Sequence, residues 1–291
     1  TLRARAFKAD YTPSATLTAS YVIQTTSGEL PPDPATVATP INPTEATNFA
    51  SATAFLYSGG NPIQREVAPG AIEPHRVAVI RGRVLSRDGA PLSGVRVTVL
   101  NHPELGHTLT RANGMFDVAL NGGGSVTIDF TREGWLPAQR TFEVPWQDYV
   151  VLADVRLVAL DTQVTVVGFA ASGSAQAARG SVVTDAHGTR QATIIVPETG
   201  SMANIHLADG SVLQAQAFLS LRATEYTVGP NGPEAMPGPL PPASGYTYAV
   251  ELSADEALQH EGSHVTFDPP LPLYLENFLD MPVGGRVPSA S

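Results

Sequence analysis

Five consecutive residues, His260-Glu261-Gly262-Ser263-His264, spell H-E-x-x-H, the one motif here whose residue types and spacing could do chemistry. On a helix that spacing sets two imidazoles on one face, with the glutamate beside them as the general base of a zinc hydrolase. The neighbouring residues work against it. Gly262-Ser263 occupies the middle, and His264 leads straight into Val265-Thr266-Phe267, an alternating strand pattern. A helix that turns to strand at its second ligand cannot aim both rings at one metal. No histidine follows as a third ligand, which leaves only Glu276 as a candidate. The segment therefore reads as a polar helix-to-strand turn. No catalytic residue, metal or cofactor is expected, and a hydrolase built on His260, Glu261 and His264 is the last of three functional readings.

The remaining candidates are weaker still. His75, His102, His107, His187 and His206 are scattered over turns and strand ends with no shared ligand spacing. There is no G-x-S-x-G elbow to present a nucleophilic serine. Asp209-Gly210 and Asp185-x-x-Gly188 lack the dense carboxylate spacing of a calcium loop. Asn121-Gly122-Gly123-Gly124 lacks the Lys and Ser/Thr of a phosphate loop and reads as a tight turn. Aromatic residues gather near strand ends, and most are expected to pack internally. Gly134-Trp135-Leu136-Pro137 and Val144-Pro145-Trp146-Gln147-Asp148-Tyr149 are the expected exceptions. Proline keeps them out of regular ladders and aims them outward, where Trp and Tyr serve as partner anchors.

The elements that must carry these residues are β-strands. Among 291 residues there are 26 Gly and 25 Pro with only 15% charged side chains, which disfavours long helices and suits short strands with tight turns. The length accommodates two β domains plus linkers, and 43% hydrophobic residues can fill their cores. A formal charge of −10 argues against nucleic acid and anionic membranes as partners. The absence of cysteine excludes a disulfide scaffold and leaves stability to packing. No apolar run approaches the ~20 residues needed to span a bilayer, so no membrane insertion is expected. A start at Thr1 and a loose Pro288-Ser289-Ala290-Ser291 end suggest a piece excised from a longer protein, expected to be monomeric by itself.

Four regions follow. Residues 1–24 alternate around a turn at Lys8–Ser14 and read as the end of a preceding β-sandwich. Residues 25–76 read as an extended Pro-rich linker: Pro31, Pro32, Pro34, Pro40 and Pro43 block helix up to Thr44, and Ala46–Tyr57 carries one short helix stopped by Gly59-Gly60-Asn61-Pro62. Residues 77–160 hold seven short strands, ending in one at Val150–Leu157, with Asn113-Gly114 and Asn121-Gly122 tolerating positive φ at turns. Residues 161–291 form a second β domain with a short helix at Ser253–Leu258, capped by Ser253 with Asp255 and Glu256 complementing its dipole. A Pro/Gly-rich excursion, 229–242, interrupts it and is expected to protrude.

Two resemblances attach to these residues. Arg5-Ala6-Phe7-Lys8-Ala9 with Tyr11, Pro13-Ser14 and Thr16–Tyr21 resembles the chitobiase C-terminal-like modules of bacterial surface proteins. The run Gly82-Arg83-Val84, Asp88-Gly89, Pro91-Leu92-Ser93-Gly94-Val95 and Val97-Thr98-Val99 resembles the carboxypeptidase-regulatory-like, transthyretin-like β-sandwich. With His102-Pro103-Glu104-Leu105-Gly106, Thr110-Arg111-x-x-Gly114-Met115-Phe116-Asp117, Asn121-Gly122-Gly123 and Pro145-Trp146, it is similar to the copy preceding the YD-repeat shell of bacterial RHS-repeat proteins and teneurins. Segments 222–233, 244–253 and 274–279 also look like RHS-protein sequence.

The resemblance implies an all-β fold of tandem sandwiches and a non-catalytic, plug-like module. The module would cap the YD-repeat shell of the same polypeptide, in a secreted or cell-surface bacterial protein that encapsulates a toxin. His102, Pro103, Glu104, Gly106, Asn113, Gly114, Asn121 and Gly122 would be its motif turn residues. The shell contacts expected are Trp135, Trp146, Tyr149, Tyr226, Pro230, Pro233, Met236 and Tyr246, with the 229–242 loop threaded into the opening. An extracellular adhesion or glycan-binding module is the alternative. No YD repeat and no toxin domain is present in these residues, so any toxin activity belongs elsewhere.

Overall fold

The computed structural model describes residues 2–4, 17–19, 30–40, 42–44, 46–171, 173–207, 209–238, 247–260 and 262–285. The chain divides into two compact units, Thr1–Leu30 and Pro31–Ser291. In the first, β1 (Leu2–Ala4) pairs antiparallel with β2 (Leu17–Ala19) in the register Leu2↔Ala19, Ala4↔Leu17. The expected turn and most of the chitobiase-like motif lie outside the described residues.

The second unit begins with a correction. Helix is not blocked before Thr44: α1 (Pro34–Val37) forms one turn because Asp33 accepts the Ala35 N–H at 2.9 Å and Pro34 sits in the first turn, where no donor is missed. α2 (Phe49–Thr53) is capped by Asn48, which accepts the Ser51 N–H at 2.8 Å, and tightens into a 3-10 turn at Ala54–Leu56. Nor is 46–76 merely a linker. Leu56, Ile63 and Ile72 are buried in the core of the first sandwich.

That sandwich packs two four-stranded sheets. In one, β3 (Val77–Ser86) pairs antiparallel with β6 (Met115–Asn121), and parallel with the short β9 (Tyr149–Val151) and β10 (Val155–Leu157). The single strand expected over Val150–Leu157 is broken at Asp154, whose carboxylate turns to take Arg83. The other sheet runs β5 (His107–Leu109), β4 (Arg96–Val99), β7 (Gly124–Thr131), β8 (Ala138–Val144). Phe116 and Phe130 meet edge-on across the two sheets at 5.4 Å. Burying such side chains, about 25 cal/mol per Å², drives the closure. Positive φ falls on Gly114 and Gly123, not on Asn121 or Gly122.

Two buried polar groups tie this core together. Gln64 is fully buried: its Oε1 accepts the Ala119 N–H at 2.6 Å, while its Nε2 donates to Ala119 O at 2.9 Å and Leu105 O at 2.7 Å. One side-chain amide thus replaces a neighbouring strand along the free edge of β6. Asp117, also fully buried, receives Arg81 Nε at 2.5 Å and Arg111 NH1 at 2.8 Å. Arg65 pairs with His107 through both backbone groups and covers the edge of β5.

The second domain arranges three small sheets around one core containing Val167, Val196, Ile205 and Leu219. The first is β11 (Thr165–Gly168), β18 (Phe218–Glu225), β19 (Val250–Ala254). The second is β12 (Gln176–Arg179), β15 (Thr193–Val196), β21 (Leu273–Tyr274). The third is β17 (Val212–Gln216), β16 (Met202–Leu207), β20 (Gly262–Asp268). A hairpin, β13 (Val183–Asp185) with β14 (Gly188–Arg190), completes it. α3 (Asp255–Gln259) starts later than expected, and Ser253 lies in β19 and does not cap it. Its acidic residues reach sideways: Glu256 accepts the Ser220 N–H at 2.8 Å and Asp255 takes Arg222 bidentately at 2.6 and 2.8 Å. No helix among the described residues is long and apolar enough to cross a membrane.

Two measurements check this account. Gln64→Leu strands both backbone groups of Ala119, so urea denaturation is expected to show a loss of about 3 kcal/mol; a loss under about 1 kcal/mol would refute the edge-replacement role. His107 is buried with its Nδ1 3.1 Å from Glu66, and burial together with Arg96 and Arg65 lowers its pKa despite Glu66. Its neutral form is therefore favoured by folding. The contribution is present above the ordinary imidazole value of ~6.5 and is lost as pH falls through the depressed one. The melting temperature is expected to drop from pH 7.5 to 5.5, and His107→Gln should reduce that drop; an equal drop in both proteins would discard the assignment.

Candidate interaction surface

The H-E-x-x-H residues do not form one helical face. α3 ends at Gln259, His260 closes it by donating its N–H to Ala257 O at 3.2 Å, and His264 already lies in β20. Glu261 lies outside the described residues, and Glu276 is engaged by the Gln191 N–H at 2.7 Å. Among the described residues no three His, Asp or Glu side chains gather in a way that could hold a metal ion.

The motif turn residues divide: His102, Glu104, Asn121 and Gly122 meet at one end of the sandwich, while Asn113 and Gly114 lie at the opposite end of β6. Pro103–Leu105 forms a 3-10 turn, with His102 Nδ1 2.9 Å from Glu104 Oε1. Gly106 follows at φ +64, where a Cβ would lie 2.0 Å from Arg65 O; only glycine lets segment 63–68 cross this closely. Glu104 O then accepts the Ala68 N–H at 2.8 Å. Asn121 is less a turn residue than a tie: its side chain accepts the Glu73 N–H and donates to Ala71 O, both at 2.8 Å. Asn113 accepts the Met115 N–H at 3.0 Å and shapes the turn at Gly114. His102, Glu104, Arg76 and the Gly122–Gly124 backbone line one cleft of about 210 Å³ at the end of the sandwich.

The expected anchor aromatics separate into two groups. Trp146 and Tyr149 are 57% and 48% exposed, and Val151 beside them is 76% exposed. The Trp146 indole lies over Gly123, where a Cβ would come within 2.0 Å of its Nε1. Tyr149 meets Phe49 edge-on at 5.0 Å, with the Arg81 guanidinium 5.9 Å from its ring. These side chains form an apolar ledge along the short edge strand β9. Trp135, expected to point outward, is instead half-buried against the first core with Arg132 over its ring. Proline at 137 did not free it, because its backbone bridges to Ala159.

The other group corrects the expectation of a protruding loop. Tyr226, Ala235 and Met236 are buried together with Leu136 and Val158 of the first domain. Residues 229–238 form a tongue laid across that domain. Gln139 N–H donates to Pro237 O at 2.9 Å, Arg140 donates to the carbonyls of Glu234, Met236 and Pro237, and Arg156 pairs with Glu234 at 2.7 Å. Asn231 reaches Arg87 O at 2.9 Å, and Arg87 donates to Glu225 O at 2.9 Å. Pro230 is exposed, Pro233 opens a 3-10 turn within the tongue, and Tyr246 lies outside the described residues. Sequence reasoning saw free prolines. The arginines that hold the tongue, 78 to 144 positions away, gave no local signal.

At the tongue's root, Arg190 is buried with Asp185 and Glu225, at 2.9 and 2.6 Å, and lies 4.7 Å from the Phe278 ring centroid. Hydrogen bonding to this guanidinium holds Asp185 far below the usual carboxylate range. Asp185 also accepts the Gly229 N–H at 3.1 Å, which fixes where the tongue departs. Burial pushes the nearby Tyr226 and Tyr248 hydroxyls well above the usual phenol range.

Met236→Ala empties a buried site, with an expected cost of about 2–3 kcal/mol. Combined with Arg140→Ala it should release the tongue, so limited proteolysis is expected to cut within 229–238 far faster than in the parent sequence. Unchanged cleavage would mean that the tongue is held elsewhere.

Comparison with known proteins agrees with the motif geometry. Residues 72–157 match the family model described as the Teneurin TTR-like domain. Teneurin-3 of Danio rerio is 40% identical over 97 residues, 33% of this chain and 3% of that protein. Teneurin-m of Drosophila melanogaster is 48% identical over 77 residues, 26% of this chain and 3% of that protein. The chain thus spans only a small part of these relatives' length. Among solved structures, the Bacillus anthracis TIE protein aligns over 62% of this chain and 31% of its own at 12% identity with a TM-score of 0.26. Residues 72–157, the first sandwich with the segment that leads into it, are similar to the Teneurin TTR-like domain, and over this region the chain resembles teneurins.

Proposed function

We propose that this chain is a non-catalytic β module that closes one end of a YD-repeat shell belonging to the same polypeptide, in a secreted or cell-surface protein of RHS type. The single observation that carries the reading is the match of residues 72–157 to the Teneurin TTR-like domain. Two further features support it. The tongue fastens the second domain to the first, so that a load on one is passed to the other. The exposed Trp146, Tyr149 and Val151 give the β9 edge the aromatic character of a contact surface, with Arg81 beside the Tyr149 ring.

The contact is therefore assigned to this ledge and not to a threaded loop, because residues 229–238 already have partners within the chain. Enclosure of a toxin would make the parent protein bacterial. A second reading, an adhesion or glycan-binding module, is favoured by one observation: Trp146 stands exposed next to the polar cleft of His102, Glu104 and Arg76.

Hydrogen exchange at 146–151 is expected to slow markedly in the longer parent protein relative to this chain alone. Trp146→Ala with Tyr149→Ala should abolish the difference while leaving the chain folded. Equal exchange in both contexts would sink the proposal. Saturable binding on a glycan array, lost in Trp146→Ala, would replace it with the adhesion reading.

A further inference from the structure

The second small sheet of the second domain turns Ala178, Ile194 and Val196 into the core, so the alternate residues of β12 and β15 leave by the opposite face. Register sets Arg179, Thr193 and Tyr274 in one row across the three strands, with Ala177 and Ile195 in the next row. Short side chains in the middle and long ones at the sides make a groove of about 490 Å³ along β15, with Gln191 and Glu276 at one end. That volume is in the range of ligand sites. Tyr274 is 54% exposed. Arg179 is exposed too, and among the described side chains it is the one arginine with no hydrogen bond, ion pair or ring contact. Glu276 uses one carboxylate oxygen on the Gln191 N–H at 2.7 Å, and Gln191 donates its amide to Gly180 O at 2.8 Å, so each keeps an acceptor oxygen for the groove.

We propose that this groove binds an acidic saccharide. Arg179 receives the sugar's carboxylate, Tyr274 lies against the C–H face of the ring, and Glu276 and Gln191 accept from its hydroxyls. A guanidinium is the planar, two-donor fork that matches a carboxylate, and on a chain of formal charge −10 this one has no internal counter-ion. Gln191 lies two residues along β15 from Thr193, the register partner of Arg179, so the acceptor end and the cation are separated by about 7 Å. One sugar ring with its carboxylate spans that distance, with the anion at Arg179 and hydroxyls at the opposite end. The floor of Ala177, Ile195 and the Thr193 methyl suits the apolar side of such a ring. An acidic peptide fits less well. Its backbone N–H and C=O groups need partners, and the backbone groups of β15 already pair with β12 and β21. The site belongs to the second domain and does not depend on the shell contact proposed above.

The test is calorimetric titration of the full chain with tri-galacturonate and with sialyllactose, beside their neutral counterparts galactotriose and lactose and beside triglutamate. Saturable binding of a sugar acid at one site is expected, at least roughly tenfold tighter than the neutral sugars or the peptide. Arg179→Gln should weaken it at least roughly tenfold, while Arg179→Lys, which keeps the charge but not the fork, should retain part of it. Tyr274→Ala should weaken it severalfold, and all three variants should keep the parent's melting curve. Trp146→Ala should bind as the parent does, which separates this groove from the cleft beside Trp146. Absence of saturable binding for both sugar acids overturns the proposal, and so does binding unchanged in Arg179→Gln. Equal binding of triglutamate also overturns it and assigns the groove to acidic peptides.

Discussion

Every edge of a β-sheet presents backbone N–H and C=O groups that must find partners when water is excluded, and this constraint shapes the chain more than any single motif. The first sandwich meets it in three ways. Gln64 turns its side-chain amide into a one-residue strand against Ala119. Arg65 bridges to His107. Pro237 caps Gln139 at the start of β8. The second domain repeats the first device: Gln176 accepts the Gly168 N–H at 3.0 Å and donates to Gly168 O at 2.8 Å, joining β11 to a different sheet. A glutamine amide sets an N–H donor beside a C=O acceptor in the spacing of a peptide group, which is why it can stand in for backbone, and its second N–H lets Gln64 reach Leu105 O as well. Burying an unpaired amide would cost 1–3 kcal/mol or more, so these are not incidental contacts.

The same constraint explains how two domains become one compact unit. The tongue is attached chiefly through its own carbonyls, received by Arg140, and through a short apolar contact at Met236. Prolines suit that role, because they present a carbonyl without a competing N–H and lose little entropy on ordering. Arg190 does comparable work at the root, with two carboxylates and the Phe278 ring around one guanidinium. A buried cation in that setting is stable only with all its partners present.

What remains outside these arrangements is informative about function. Tyr149 and Val151 lie on a three-residue edge strand, and the exposed Trp146 precedes it, beside the cleft of His102 and Glu104. Several carboxylates among the described residues are engaged in structure: Asp117 by two arginines, Asp161 by Ser181 at 2.5 Å, Glu256 by Ser220. These carboxylates hold strands and turns in place.

Much of the fold was legible in the residues themselves. Alternation placed β3, β4, β6, β7 and β8 within a residue or two, and the order of the motifs from Gly82 to Trp146 identified the first sandwich. That legibility is local, since alternation and turn chemistry act over a few neighbours. Gly106 was readable as a turn glycine but not as the point where Arg65 crosses beneath it. The prolines of the tongue were readable as non-helical, while Arg140 and Arg156, which hold the tongue down, looked like ordinary surface charges. His264 was readable only against His260, four residues away. Its true neighbour, His206, is separated by 58 positions and became visible only when the register of β16 on β20 was known. Residue type and short spacing determined the strands, their turns and the kinship of one domain; which edges are sealed, which aromatics stay exposed and which histidines meet was decided by tertiary pairing, because those contacts join segments whose separation along the chain carries no periodic signal.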